Sequence, residues 1–222
     1  MSAATNLASA RGPAPSAPAR RGVNAWLSHR AAKPIVFAAS LLPFAWLLYG
    51  AIANTLGANP AEALIRSLGD WTLRFLCLTL AITPLRQATR WHALARLRRM
   101  LGLFTFFYAS WHLLAYGWLD MGLDPGEIAK DIAKRPFILV GFSAFVLLLP
   151  LAATSFNRAI RWLGAPRWQA LHRAVYAIAG LAILHFFWMR AGKNDFAEVA
   201  VYAAILALLL GARLWRRLAI KP

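Results

Sequence analysis

The chain reads as an all-α integral membrane protein, a bundle of six transmembrane helices. Three observations carry that reading. The first is composition: 60% of the 222 residues are hydrophobic and the mean hydropathy is +0.52, more apolar surface than a soluble domain of this length can keep from water. The second is that the apolar residues fall into six runs, most of them near the ~20 residues that a helix needs to cross a ~30 Å hydrocarbon core. The third is that the charge lies between the runs. A net charge of +17 would suit nucleic acid if the bases formed one patch. They come instead in short groups flanking apolar segments, the pattern of membrane topology, so no nucleic-acid partner is expected. With Cys77 as the single cysteine there is no disulfide framework and no cysteine metal site.

Residues 1–33, rich in Ala, Pro, Ser and Arg and without periodicity, are expected to form a disordered basic tail. The run at 35–53 can be weighed as a signal peptide, since Ala51, Ile52 and Ala53 resemble a cleavage site. It is longer than a signal core and further spans follow, so it is expected to be the first transmembrane helix. Spans two to six are expected at residues 71–85, 100–119, 136–153, 174–189 and 196–211. The second and fifth are short for the hydrocarbon core, so their ends should extend into the flanking basic segments. Pro43, Pro84 and Pro150 lie inside spans or at their ends and predict kinks or helix ends. The transmembrane domain is placed at 34–215, with a short tail at 216–222.

Charge sets the orientation. With the N-terminus inside, the inner segments carry Arg11, Arg20, Arg21, Arg30 and Lys33, then Arg86, Arg90, Arg96, Arg98 and Arg99. They also carry Arg158, Arg161, Arg167 and Arg173, and finally Arg213, Arg216, Arg217 and Lys221. The outer segments hold far fewer bases and all eight acidic residues. Lys and Arg accumulate on the cytoplasmic side, so both termini are expected there, with the basic face against anionic lipid of the bilayer.

Five histidines are present. His29 falls in the tail and His92 in an inner loop, and nothing around either suggests a site. His112 lies twelve residues beyond Met100 and His185 eleven beyond Ala174, about 18 Å and about 17 Å in from the inner surface at 1.5 Å per residue. Both helices run outward, so the two imidazoles share a depth in the outer half of the membrane. An ionisable residue among lipid-facing apolar neighbours is costly and generally functional. Two facing imidazoles can hold one metal or one heme iron. Phe104, Phe107, Tyr108, Trp111, Phe186, Phe187 and Trp188 can wall a porphyrin or face lipid, and Gly102, Ala109 and Gly180 allow close helix approach.

His172 stands thirteen residues before His185, as Arg99 does before His112, so His172 and Arg99 share a depth at the inner surface. On a regular helix thirteen residues turn through ~1300°, which leaves His172 and His185 ~140° apart. His172 is therefore open to a mixed-ligand second heme, a flavin or quinone contact, or a plain interfacial place. Arg74, three residues inside the outer end of the second span, can snorkel to the surface or pair with a heme propionate.

Six spans, a histidine in the third and two in the fifth resemble the ferric-reductase-like transmembrane family, and within it the heme-binding membrane subunits of bacterial methionine-sulfoxide-reductase systems. The stretches that carry the resemblance are LLPFAWLLYG, ITPLR, RLRRMLGLFTFFYASWHLL, KRPFILVG and RWQALHRAVYAIAGLAILHFFW. They run collinearly over residues 34–211. The resemblance implies a cytochrome b-type electron carrier of the bacterial inner membrane, with heme b and FMN as cofactors. It implies a quinone pool as donor and a periplasmic molybdopterin-containing catalytic subunit as acceptor, which repairs oxidised methionine in proteins. His112, His172 and His185 match the family's heme-associated histidines. The wider family spaces the two fifth-helix histidines one residue further apart and has a second histidine on the third helix where Arg99 stands here. No phosphate-cradling glycine loop marks an FMN site.

Two further functions compete with electron transfer. A transporter using the histidines for a metal ion or protons would place ionisable residues at similar depth, but the spans show no inverted repeat and no pair of broken helices. A structural scaffold would need no histidines at matched depth. No nucleophile–base arrangement and no membrane-embedded carboxylate is evident, so no substrate chemistry is expected of the chain itself.

Overall fold

The computed structural model describes residues 18–192 and 194–219. It is helical throughout, with no strand among the described residues. The helices are α1 (Pro18–Ser28), α2 (Ala32–Ile52), α3 (Pro60–Thr89), α4 (Arg98–Ala115), α5 (Pro125–Lys134), α6 (Pro136–Ala153), α7 (Asn157–Leu163), α8 (Ala165–His172), α9 (Val175–Ala191) and α10 (Ala197–Ala219). A 3-10 turn, His92–Arg96, leads into α4, and a π-helical turn, Tyr116–Asp120, ends it.

Local chemistry explains the boundaries. The Asn59 side chain accepts the Glu62 N–H (3.2 Å) ahead of Pro60, which satisfies an orphan donor and pre-sets the first helical φ of α3. Asp124 does the same for α5, accepting from Gly126 and Glu127 ahead of Pro125. Pro136 opens α6 directly after α5. Gly164, at φ +75°, turns the chain from α7 into α8 in a conformation that an L side chain resists.

Four helices are long and apolar enough to cross a membrane: Ala32–Ile52, Pro136–Ala153, Ala165–Ala191 and Ala197–Arg216. The expectation of six is met by this criterion only in part. The other two candidates are α3 and α4. The first carries Glu62, Arg66, Asp70 and Arg74 along its leading half, and the second opens on Arg98 and Arg99. These more polar helices form the inner walls of the bundle. As anticipated for a short second span, α3 continues to Thr89. The segment expected to be an unstructured tail holds α1 and the start of α2; the part of that expectation falling on residues 1–17 lies outside the described residues. At the other end α10 reaches Ala219.

Two helix pairs make the framework. α3 packs along α4 and α6 along α9, α4 meets α6 between them, α2 flanks the first pair, and α10 lies against α9 and α3. Two apolar clusters fill the bundle, the first within α1–α4 and the second joining α3 and α4 to α6, α9 and α10. One centres on Leu68, Phe75, Phe104 and Tyr108, the other on Leu148, Ile178, Ala179 and Leu206. Large apolar side chains such as Trp46, Leu42 and Ile52 of α2 stand exposed on the outside, as lipid-facing residues do.

Tyr108 locks α2 to the first pair. It is fully buried; its hydroxyl donates to the Ser40 carbonyl (2.8 Å) and accepts the Phe44 N–H (3.0 Å). Those are the two groups that a regular α-helix joins directly. Pro43 sits between them, and a proline inside a helix opens the ladder. The tyrosine hydroxyl bridges that site.

Candidate functional site: two imidazoles in an apolar cavity

His112 of α4 and His185 of α9 meet between the helix pairs, their ring centroids 6.2 Å apart and their planes at 74°. Each is held within its own pair. His112 Nδ1 lies 2.8 Å from the Ile65 carbonyl oxygen of α3, and His185 Nδ1 lies 2.7 Å from the Phe137 carbonyl oxygen of α6. A carbonyl oxygen only accepts, so each Nδ1 carries the proton and donates, and each Nε2 keeps its lone pair. This is the tautomer that ligates a metal, with the second nitrogen fixed by a backbone acceptor.

The same device orients both rings. Ile65 is followed four residues on by Gly69, and Phe137 by Gly141. A Cβ added at Gly69 would lie 3.1 Å from His112 Cε1 and 3.3 Å from Nδ1. A Cβ added at Gly141 would lie 2.7, 2.8 and 3.0 Å from Nδ1, Cε1 and Cγ of His185. Each imidazole thus rests on a glycine and reaches past it to the carbonyl one turn back, whose second lone pair is available to it. In both cases a missing side chain on the neighbouring helix gives access to the backbone.

The rings border a cavity of about 350 Å³. Its body is apolar, built by Leu73, Leu76, Ala109, Phe142, Phe145, Leu148, Ile178 and Phe186 among others. Its mouth is polar, with Asn59, Glu62, Arg66, Asp70, Tyr116, Asp120 and Arg135. At that mouth burial raises the Asp120 carboxyl above the ordinary carboxylate range, against the pull of Arg135. Among the described residues no three His, Cys, Asp or Glu side chains gather as a metal-ion site.

Sequence comparison places these features in a family. The family described as "Ferric reductase like transmembrane component" matches residues 68–184, a stretch that contains His112 and His172 and ends one residue before His185. A protein of Polaromonas naphthalenivorans, "Protein-methionine-sulfoxide reductase heme-binding subunit MsrQ", is 70% identical over 194 residues, covering 87% of this chain and 89% of its own. Proteins of the same name from Bordetella pertussis and Ralstonia nicotianae are 59% and 55% identical, over 83% and 85% of this chain and 91% and 87% of theirs. The chain belongs to the MsrQ family. No solved structure matches it.

Most of the other residues singled out from the sequence stand apart from His112 and His185. His172 ends α8, stacks on Trp168 at 3.9 Å between centroids, and has Nε2 3.1 Å from Thr154 Oγ1. At Arg173 and Ala174, between α8 and α9, the backbone stays in the right-handed helical region but tightens to i→i−3 hydrogen bonds, Ala174 N–H to the Leu171 carbonyl and Tyr176 N–H to the Arg173 carbonyl (both 3.0 Å), so the angle between His172 and His185 departs from that of a regular α-helix. Arg99 donates to Asn157 Oδ1 of α7 (2.8 Å) rather than meeting His172. Arg74 lies outside the cavity lining; its Nε donates to the Tyr202 hydroxyl of α10 (3.0 Å) and its guanidinium covers Trp71. His29 accepts from the Ala31 N–H, and His92 opens the 3-10 turn.

Of the candidate aromatic walls only Phe186 lines the cavity. Phe104, Phe107 and Trp111 pack on Phe37 and Phe44 of α2, and Phe187 stacks on Phe196. Ala109 lines the cavity, a Cβ added at Gly102 would lie 3.6 Å from Thr79 Cγ2, and one added at Gly180 would have no neighbour within 4 Å. Sequence reasoning missed Ile65, Gly69, Phe137 and Gly141. A glycine in a helix interior is destabilising and signals close approach, and that signal was present at both positions.

Proposed function

We propose that the chain holds one heme b between His112 and His185 and serves as the electron-transfer subunit of a protein-methionine-sulfoxide reductase. The observation that carries this reading is the matched pair of Nε2 lone pairs beside an apolar cavity. Two metal–imidazole bonds of about 2 Å, with roughly 1.1 Å from each nitrogen to its ring centre, put facing imidazoles about 6 Å apart; the centroids stand 6.2 Å apart. A bare metal ion asks for three or more protein ligands, whereas a heme would ask only two of the chain, which His112 and His185 would supply. That favours heme over metal transport. A heme bound there supplies one-electron ferric–ferrous chemistry, and the chain supplies the ligands, their orientation and a dry surround.

The wider reading follows the relatives, which are named heme-binding subunits of a methionine-sulfoxide reductase. The chain spans a bacterial inner membrane with six helices, α3 and α4 crossing alongside the four more apolar ones. The termini are cytoplasmic, a quinol at the basic end is the donor, and a periplasmic molybdopterin-containing catalytic subunit at the acidic end is the acceptor. His172 and Arg99 belong to the entry side. FMN enters as a second cofactor by family likeness, with no residues assigned to it.

A reduced-minus-oxidised spectrum of the purified full chain, with the heme-to-protein ratio, tests the core of this. A low-spin b-type spectrum that His112→Ala and His185→Ala each abolish is expected. A heme-free protein, or heme retained in both variants, overturns it. Quinol without NADH should reduce the heme; reduction by NADH alone in a flavin-free sample overturns the donor assignment.

A further inference from the structure

We infer that Arg135 is the carboxylate-binding residue of the cavity mouth, holding a propionate of the porphyrin, with Asp131 and Tyr116 as its positioning residues. This rests on the heme reading above and concerns a contact made by neither histidine.

The argument starts from what holds Arg135. Its Nε lies 2.8 Å from Asp131 Oδ1 in an ion pair, and the other oxygen of that carboxylate accepts the Tyr116 hydroxyl (2.7 Å). Asp131 is largely buried, its side chain 12% exposed. Tyr116 begins the π-helical turn that follows α4, a local distortion often found at functional sites. Tyrosine and guanidinium both line the cavity. Among the described residues the two terminal nitrogens of Arg135 have no other protein partner, so the planar fork that suits a carboxylate is left open.

The other arginines at this end are engaged or displaced. Arg190 pairs with Asp195 (2.9 Å) and Glu198 (2.6 Å), and Arg74 is turned to Tyr202. Arg66 also lines the mouth but is paired with Glu62 one turn before it. Asp70 and Asp120 face the same space. A ligand whose body is apolar and whose two acids sit at one edge matches a cavity that is apolar inside and has one open guanidinium at its rim.

The test compares heme b with its dimethyl ester, both propionates masked, on the full chain and its variants. Wild type should hold the free-acid heme about tenfold or more tightly than the ester, the scale of a charge-assisted hydrogen bond. In Arg135→Gln that preference should vanish while the low-spin bis-imidazole spectrum stays. Arg135→Lys should restore part of it, Asp131→Asn should weaken it, and Lys134→Gln, a neighbouring surface cation, should leave it intact. Arg135→Gln retaining the full preference overturns the assignment while leaving the histidine pair standing. A wild-type protein that shows no low-spin heme removes both readings at once, so the two failures are distinct.

Discussion

Replacing Gly141 with alanine is the sharpest probe of how the site is built. The new Cβ would stand 2.7 Å from His185 Nδ1, where ordinary contact begins at 3.4 Å. The ring must therefore retreat by about 0.7 Å or more. The hydrogen bond it abandons is the 2.7 Å contact with the Phe137 carbonyl. Losing a buried hydrogen bond costs about 1–3 kcal/mol, or roughly ten- to a hundredfold in the binding it supports. Gly69→Ala is the milder control, since its Cβ would meet His112 at 3.1 Å and a shift of about 0.3 Å clears it. In both helices the change itself favours folding, by up to about 1 kcal/mol of helix propensity, so a loss of heme would not reflect a weaker helix. The assay is heme per protein after purification, with the absorption and electron paramagnetic resonance spectra of the ferric state. Gly141→Ala should lose most heme or turn it high-spin, and Gly69→Ala should lose less. Full occupancy with an unchanged low-spin signal in Gly141→Ala, or the opposite ranking, would refute the reasoning.

Three further outcomes are expected. His172→Ala should keep the spectrum of the heme held by the other two histidines and slow its reduction by quinol, read by stopped flow; loss of heme as complete as in His185→Ala makes His172 a ligand. Tyr108→Phe removes the hydroxyl that bridges Ser40 and Phe44 and should lower stability in detergent by about 1–3 kcal/mol, with the spectrum unchanged; an unaltered melting temperature contradicts the bridging role. A reporter active only in the periplasm, fused after Pro222, should be silent, and activity there reverses the topology.

Counting residues from the inner surface was enough to bring His112 and His185 together, because depth along a helix is linear in sequence. For His172 the depth count stands, and the tightened turn at Arg173 and Ala174 alters only the angle to His185. For Arg74 it left the partner open: depth says how far along a helix a side chain lies, not which neighbour it faces, and Arg74 faces Tyr202 of α10. The glycines teach the same lesson. Gly102 and Gly180 drew attention because they share helices with the histidines. The clearance is needed on the helix opposite, at Gly69 and Gly141. The two acceptors were beyond reach for a different reason, since a backbone carbonyl has the same chemistry at every residue and its neighbours alone make it special.

Because each imidazole is bonded inside its own helix pair, both rings are set before the pairs close on one another. α3 and α4 are joined by a short connection and form one hairpin early in the chain; α6 and α9 complete the second half only after α9 has emerged from the ribosome. A group held by both imidazoles would therefore tie together two halves of the bundle whose rings are oriented independently of each other.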